Sequence, residues 1–191
     1  MKKAIIAAAC LMFSVNALSD APLKSTYKKL VDKEGNISLP DDYRENWAFL
    51  GSYFVEGAPA EGSDKPSFDV HTVYTQPKAA KYYRKHGKFP DGAVILKDVN
   101  ATKTEVLTTG VARYEGDPKV TFAMVKNTKD RFADNKAWGE GWGWALFTPG
   151  NPESQTTDWK GEGFNNCHAC HLPVKDQDWV YKQGYKSVIG E

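Results

Sequence analysis

The sequence predicts an α+β fold in which helices flank an antiparallel β-sheet of about five strands. Short apolar or aromatic segments follow one another closely, and clusters of Gly, Pro and Asn separate them. Strands joined by such short connections form an antiparallel meander, because parallel neighbours need long crossovers. Helical patterns before, between and after these segments complete the α+β arrangement.

The candidate strands occupy the central part of the chain. They span residues 47–55, 68–75, 93–99, 105–114, 120–126 and 142–147. Turn signals at Asn100, at residues 116–118 and at residues 139–143 separate the later strands, and residues 56–67 form a polar loop. In a meander, the order of the strands in the sheet follows their order in the chain.

Three helices are predicted before and within this series. The first covers residues 20–34, and a second short helix starts at Asp41. The third covers residues 78–86, where Pro77 opens the helix and Gly87 closes it.

Residues 1–19 form a predicted secretory signal peptide. It has a positive start at Lys2 and Lys3, an apolar run over residues 4–15 and small residues within 17–19. The alternative is an uncleaved membrane anchor, but the apolar run is too short to span a bilayer comfortably. The sequence therefore predicts export to the periplasm.

Cleavage leaves residues 20–191 as one predicted domain. Loss of the two signal-peptide lysines lowers the Lys and Arg count from 25 to 23 against 24 Asp and Glu, which gives a net charge of −1. This near-neutral charge argues against a nucleic-acid partner, and no segment of the mature chain has a transmembrane pattern. Cys10 is also removed, so Cys167 and Cys170 are the cysteines that remain.

Residues 167–171 have the spacing C-x-x-C-H, which is typical of covalent haem attachment. Two thiols three residues apart reach the two vinyl groups on one edge of a porphyrin, and the thioether bonds hold the haem permanently. His171 follows directly, where its imidazole can coordinate the iron. The sequence therefore predicts one haem c bound through Cys167 and Cys170 on a C-terminal attachment helix.

Three other interpretations of the motif are weaker. A redox-active disulfide of the thioredoxin type occurs in a βαβ context, whereas this pair follows a β-meander. A zinc site needs ligands from a second cluster, because residues this close in sequence cannot close a tetrahedron. A chance occurrence would have to coincide with an export signal to the compartment in which c-type haem is attached.

The sequence offers no obvious sixth ligand for the iron. Small electron-carrier cytochromes c usually supply a Met downstream of the motif, but 20 residues follow His171 and none is Met. The single Met of the mature chain, Met124, lies in a predicted strand, where a core position is expected. We therefore predict an open distal site, which suits binding of small molecules.

Several segments together resemble a known family. They are F-P-D-G-A-V-I-L-K at residues 89–97, V-Y-T-Q-P at 73–77 leading into a helix, G-W-G-W at 141–144, and the late C-x-x-C-H. From about residue 43 to residue 181 the chain resembles the cytochrome P460 family and its β-sheet relatives, the cytochromes c′-beta. The resemblance implies an antiparallel sheet with flanking helices, usually in a homodimer.

The resemblance also implies an activity and a further bond to the cofactor. Catalytic members of the family oxidise hydroxylamine to nitric or nitrous oxide, and a lysine is cross-linked to their porphyrin; Lys97 occupies the matching position. The cytochromes c′-beta lack this activity and bind nitric oxide behind a phenylalanine cap. From the strand pattern alone, Lys97 could instead be a strand-end lysine that reaches solvent.

Three further residues are candidates by position. Phe68 matches a distal phenylalanine of the family, and His71 matches a position often held by arginine, so proton handling would differ here. Residues three apart lie on opposite faces of a regular strand, so both reach one pocket only if the strand is bulged or ends there. Otherwise Phe68 is a core residue and His71 a surface residue. Glu162, just before the haem motif, is either a proton acceptor or an ordinary loop carboxylate.

Three functions stay open from the sequence. The first is an oxidoreductase that binds hydroxylamine or nitric oxide, has Lys97, His71 and Glu162 as candidate catalytic residues, and passes electrons to a soluble acceptor. The second is a protein that sequesters nitric oxide behind an apolar cap such as Phe68. The third is an electron carrier, which requires a six-coordinate iron in both oxidation states.

Overall fold

The computed structural model describes residues 21–59, 61–64, 66–153, 155–156 and 167–185. The predicted signal peptide and Glu162 lie outside these residues. No helix within the described ranges is both long and apolar enough to cross a membrane. The elements in chain order are α1 (Ala21–Leu30), α2 (Tyr43–Asn46), β1 (Ala48–Gly57), β2 (Ser67–Thr75), α3 (Pro77–His86), β3 (Val94–Leu107), β4 (Gly110–Lys126), β5 (Trp138–Gly139), β6 (Trp142–Phe147), β7 (Gln155–Thr156), α4 (His168–His171) and a 3-10 helix (Leu172–Gln177).

Within the described residues, seven strands form one antiparallel sheet, which confirms the predicted α+β fold. The long strands pair in the order β1-β2-β3-β4-β6, while the two-residue strands β5 and β7 both pair with β6. The sheet exceeds the predicted five or so strands because such short edge segments have no recognisable sequence pattern. The C-terminal helix is small, a single turn.

The β3–β4 hairpin corrects two predicted turns. The turns expected at Asn100 and at residues 116–118 are wrong, because both strands continue through these positions and turn at residues 108–109. Asn100 pairs with Pro118, and the register shifts on both sides of Asn100. Such bulges accept Asn, Gly and Pro without ending a strand. The strand predicted over residues 105–114 is therefore the tip of one long hairpin.

On one face of the sheet, α2 packs against β3 and β4 through a buried carboxylate. The Asp98 side chain on β3 is buried, and its carboxylate accepts hydrogen bonds from the Tyr43 hydroxyl at 2.6 Å, the Arg44 guanidinium at 2.8 Å and the Thr121 hydroxyl at 2.7 Å. A buried carboxylate needs such partners to offset its lost hydration. Because neighbouring strand residues point to opposite sides, this network lies on the face opposite to Lys97.

The other face packs against residues 167–185. A Cβ atom on Gly51 of β1 would lie 2.3 Å from the carbonyl oxygen of Gly184, so only glycine permits this close approach. On β6, Trp142 and Trp144 belong to the core of the same face. The backbone of β1 and these aromatic rings therefore form a platform for the segment that carries the haem motif.

Candidate functional site

A cavity of about 830 Å³ lies between this face of the sheet and residues 167–185. Its size falls within the range of small-molecule and cofactor sites. Alternate residues of the central strands form its floor, since side chains two apart along a strand share a face. The C-terminal segment forms the opposite wall with Cys167, Cys170 and His171.

The register of the sheet decides which side chains meet in this floor. His71 on β2 pairs with Tyr53 on β1 and with Val99 on β3. Lys97 pairs with Phe122 on β4, one row further along the sheet. The predicted residues His71 and Lys97 are therefore diagonal neighbours on one face, within reach of the same ligand.

The C-x-x-C-H segment folds into the single turn of α4. The amide of His171 donates to the carbonyl of Cys167 at 3.1 Å. Cys167 is buried and Cys170 is exposed, yet both line the cavity together with His171. One helical turn thus presents two thiols and an imidazole to the same space, which is the arrangement that covalent haem attachment needs.

The imidazole of His171 is oriented as a metal ligand would be. Its Nδ1 atom lies 2.7 Å from the carbonyl oxygen of Trp179. A carbonyl can only accept, so Nδ1 carries the hydrogen and Nε2 keeps its lone pair. Burial lowers the pKa of His171 to about 4, although the Trp179 hydrogen bond opposes this shift. The Trp144 ring packs edge-on against the imidazole, with centroids 4.9 Å apart.

Lys97 lies in the floor of the cavity instead of reaching bulk solvent. Its ammonium sits 4.7 Å from the centroid of the Phe122 ring, and no acidic side chain among the described residues pairs with it. Burial lowers the pKa of Lys97, while the nearby thiols of Cys170 and Cys167 act in the opposite direction. Burial therefore makes the proton of the Lys97 ammonium easier to remove than that of an exposed lysine.

His71 also lies in the floor, beside the ring of Tyr53 at a centroid distance of 5.2 Å. Burial and the ammonium of Lys97 lower its pKa to about 4. Its Nδ1 atom is buried and has no hydrogen-bond partner among the described residues. The site thus contains a neutral imidazole with an unused nitrogen.

Phe68 does not line the cavity, contrary to expectation. β2 pairs with β3 without a register shift over residues 69–75, so Phe68 and His71 point to opposite faces. The Phe68 ring instead lies 5.0 Å from the guanidinium of Arg113. The aromatic ring beside Lys97 belongs to Phe122, which the sequence patterns did not identify.

Three tyrosines of the wall were also missed. Tyr53, Tyr181 and Tyr185 line the cavity together with Trp144 of the G-W-G-W segment. Burial raises the pKa of both Tyr53 and Tyr185, and the two phenols are hydrogen-bonded to each other. The two-residue period could have indicated Tyr53, but only once its pairing with His71 was known. Tyr181 and Tyr185 depend on how the C-terminal segment folds back onto the sheet.

The cavity suits a haem. Aliphatic side chains such as Val55, Ile95 and Val120 can contact a porphyrin face, while the two thiols and the His171 nitrogen supply the attachment chemistry. The donor set therefore agrees with the group that the C-x-x-C-H spacing predicts.

Comparison with protein families identifies a match. A family model described as Cytochrome P460 matches residues 40–182, about three quarters of the chain. The matched region contains the cavity floor and the C-x-x-C-H segment, and it confirms the resemblance inferred from residues 73–77, 89–97 and 141–144. No curated protein matched the chain.

Proposed function

Because the chain belongs to the cytochrome P460 family, whose cofactor is a c-type haem, we propose that it is an exported mono-haem oxidoreductase acting on hydroxylamine. The observation that carries the proposal is that the C-x-x-C-H segment, Lys97 and His71 meet in one cavity. The products would be nitric or nitrous oxide. The proposal includes a periplasmic homodimer that passes electrons to a soluble acceptor.

In this proposal, Cys167 and Cys170 hold the haem through thioethers and His171 binds the iron through Nε2. The haem supplies an iron centre that binds a small nitrogenous molecule and takes up its electrons. Met124 is buried beside Trp144, its cross-strand partner, and Trp144 contacts the His171 ring. Met124 also lines the cavity, but this pairing places it on the side of Trp144 and His171, so we assign it no role as a second iron ligand.

The floor residues provide the proton chemistry. Oxidation of hydroxylamine releases protons and electrons in equal number, so the site needs a proton acceptor near the substrate. His71 is neutral near pH 7 and has an unpartnered nitrogen among the described residues, which suits this role. We propose Glu162 as a second proton acceptor.

We further propose that Lys97 bonds covalently to the macrocycle. Its lowered pKa makes deprotonation easier, and the amine that results has a lone pair that can form a C–N bond. The bond replaces an N–H of the amine and a C–H of the ring, so two protons and two electrons must pass to an oxidant such as peroxide. Lys119 lines the same cavity but is paired with Asp69 at 2.8 Å, which makes it a matched control.

The test uses holo-protein made in a host with c-type maturation machinery. We expect a broad, red-shifted Soret band in the reduced wild type and turnover of hydroxylamine with an artificial acceptor. Lys97→Met should give an ordinary high-spin c-type spectrum and lose turnover, whereas Lys119→Met should keep both. Turnover no faster than that of free haem would overturn the enzymatic proposal, and an unmodified Lys97 peptide would overturn the cross-link.

A non-enzymatic function of the c′-beta type is the second candidate. Phe122 favours it, because this ring could cap bound nitric oxide in the cavity. That function predicts a stable nitrosyl complex without turnover.

The third candidate is an electron carrier, which would require His71 to serve as a second ligand of the haem iron. The iron would then be low-spin, and His71→Ala would convert it to high spin.

A further inference from the structure

A buried ion pair lies close to the chain that supports His171. The Asp178 and Lys126 side chains form a salt bridge and are only 13% and 10% exposed. The other carboxylate oxygen of Asp178 accepts the amide of Phe89 at 2.7 Å. Asp178 therefore ties the chain after α4 to two other elements, the end of β4 and the loop before β3.

Asp178 and the next residue, Trp179, share an unusual backbone conformation. Their φ angles are +61° and +64°. A left-handed conformation is unfavourable for a residue other than glycine and persists only where surrounding contacts determine it. Here those contacts are the two interactions of the Asp178 carboxylate and the burial of the Trp179 ring.

This turn ends at the Trp179 carbonyl, whose oxygen lies 2.7 Å from His171 Nδ1. This carbonyl orients the imidazole that is the proposed iron ligand. We infer that Asp178 is a positioning residue that holds this carbonyl against His171 and thereby sets how strongly the imidazole donates to the iron. The inference rests on the proposed haem function and goes beyond it.

The physical link is the hydrogen bond of the ligand. Donation from Nδ1–H to an acceptor increases the basicity of the other ring nitrogen. A stronger donor stabilises the oxidised iron, so losing the bond weakens the iron–histidine bond and raises the reduction potential. Lys126 contributes to this link because its ammonium holds the Asp178 carboxylate in place. The same ammonium lies 4.5 Å from the centroid of the Trp142 ring.

The test compares the holo-proteins of the wild type, Asp178→Asn and Asp178→Ala. Asn keeps the shape but loses the charge that pairs with Lys126, and Ala removes both contacts. We expect the iron–histidine stretching band of the ferrous protein to shift to lower frequency and the reduction potential to rise, more for Ala than for Asn. Asp91→Asn is the matched control, because Asp91 also forms a partly buried ion pair, with Arg131.

Asp91→Asn should lower stability without moving the band or the potential. Equal shifts in this control, or none in the Asp178 variants, would overturn the positioning role. If the Asp178 variants do not fold, Lys126→Met tests the same contact by the same readouts, and Lys126→Arg should retain wild-type values. A wild type that carries no haem would instead refute the proposed function, so the two failures are distinguishable.

Discussion

His71 is a half-buried histidine that its surroundings hold in the neutral form. Burial lowers its pKa to about 4, and the ammonium of Lys97 acts in the same direction. The Asp69 carboxylate opposes the shift, while Lys119 adds to it. Near pH 7 the ring can therefore accept a proton, which an arginine at this position could not do.

We predict that this neutral state makes stability depend on pH. Because the folded pKa of about 4 lies below the ordinary value of 6.5, the unfolded chain takes up a proton first as the pH falls. The wild type should lose stability relative to His71→Gln as the pH falls from about 6.5 towards 4, and the difference should be constant above this range.

Chemical denaturation of both holo-proteins at about pH 7 and about pH 5 measures this effect. Haem in the cavity would bury His71 further and so move its pKa in the same direction. His86→Gln, at an exposed histidine near the end of α3, controls for the removal of a histidine elsewhere. A stability difference between wild type and His71→Gln that is the same at both pH values would contradict the buried neutral state.

The candidate residues differ in how far sequence could identify them. The C-x-x-C-H spacing reflects covalent geometry, so Cys167, Cys170 and His171 were predicted, and all three line the cavity. Phe68 was matched by distance along the chain, but the face it occupies depends on the register of β2. Phe122 was missed because its position opposite Lys97 exists only once β3 and β4 pair.

Among the elements, strands with a strong apolar pattern were predicted closely. β6 has the predicted bounds, and β1 and β2 differ from prediction by two residues or fewer at each end. The β3–β4 hairpin was not predicted, because Asn100 and Pro118 sit in bulges that resemble turns in sequence. The distinction depends on cross-strand pairing, which a local pattern does not contain.

At the scale of the elements, we predict that Gly51 is essential for docking residues 167–185 onto β1. A Cβ atom at Gly51 would lie 2.3 Å from the Gly184 carbonyl oxygen, so Gly51→Ala must displace residues 184–185 from β1. We expect a loss of about 1–3 kcal/mol in the free energy of unfolding, measured by denaturation, together with faster proteolysis of this segment.

The opposite side of the same contact supplies the control. A Cβ atom at Gly184 would meet only the Tyr53 ring, at an ordinary 3.8 Å. Gly184→Ala should therefore be close to wild type in stability and in proteolysis. Equal effects of the two substitutions would show that the close backbone approach does not determine docking.

At the scale of the whole molecule, the two faces of the sheet are completed differently. On one face, side chains such as Tyr43 and Leu96 form a cluster of their own. On the other, Ile95, Trp144 and Cys167 belong to a cluster that borders the cavity. The cavity of about 830 Å³ therefore leaves the packing of this second face to be completed by the group that binds there.

This difference between the faces predicts how the apo-protein should behave. Without haem, we expect a lower unfolding midpoint and a selective loss of amide hydrogen-exchange protection in residues 167–185, because this segment then borders an unfilled space. Amides around the Asp98 network on the opposite face should keep their protection, since their contacts come from the chain itself. Exchange measured on apo- and holo-protein under the same conditions tests this. An unchanged pattern would mean that the chain completes its own core, and a uniform loss would mean that both faces unfold as one unit.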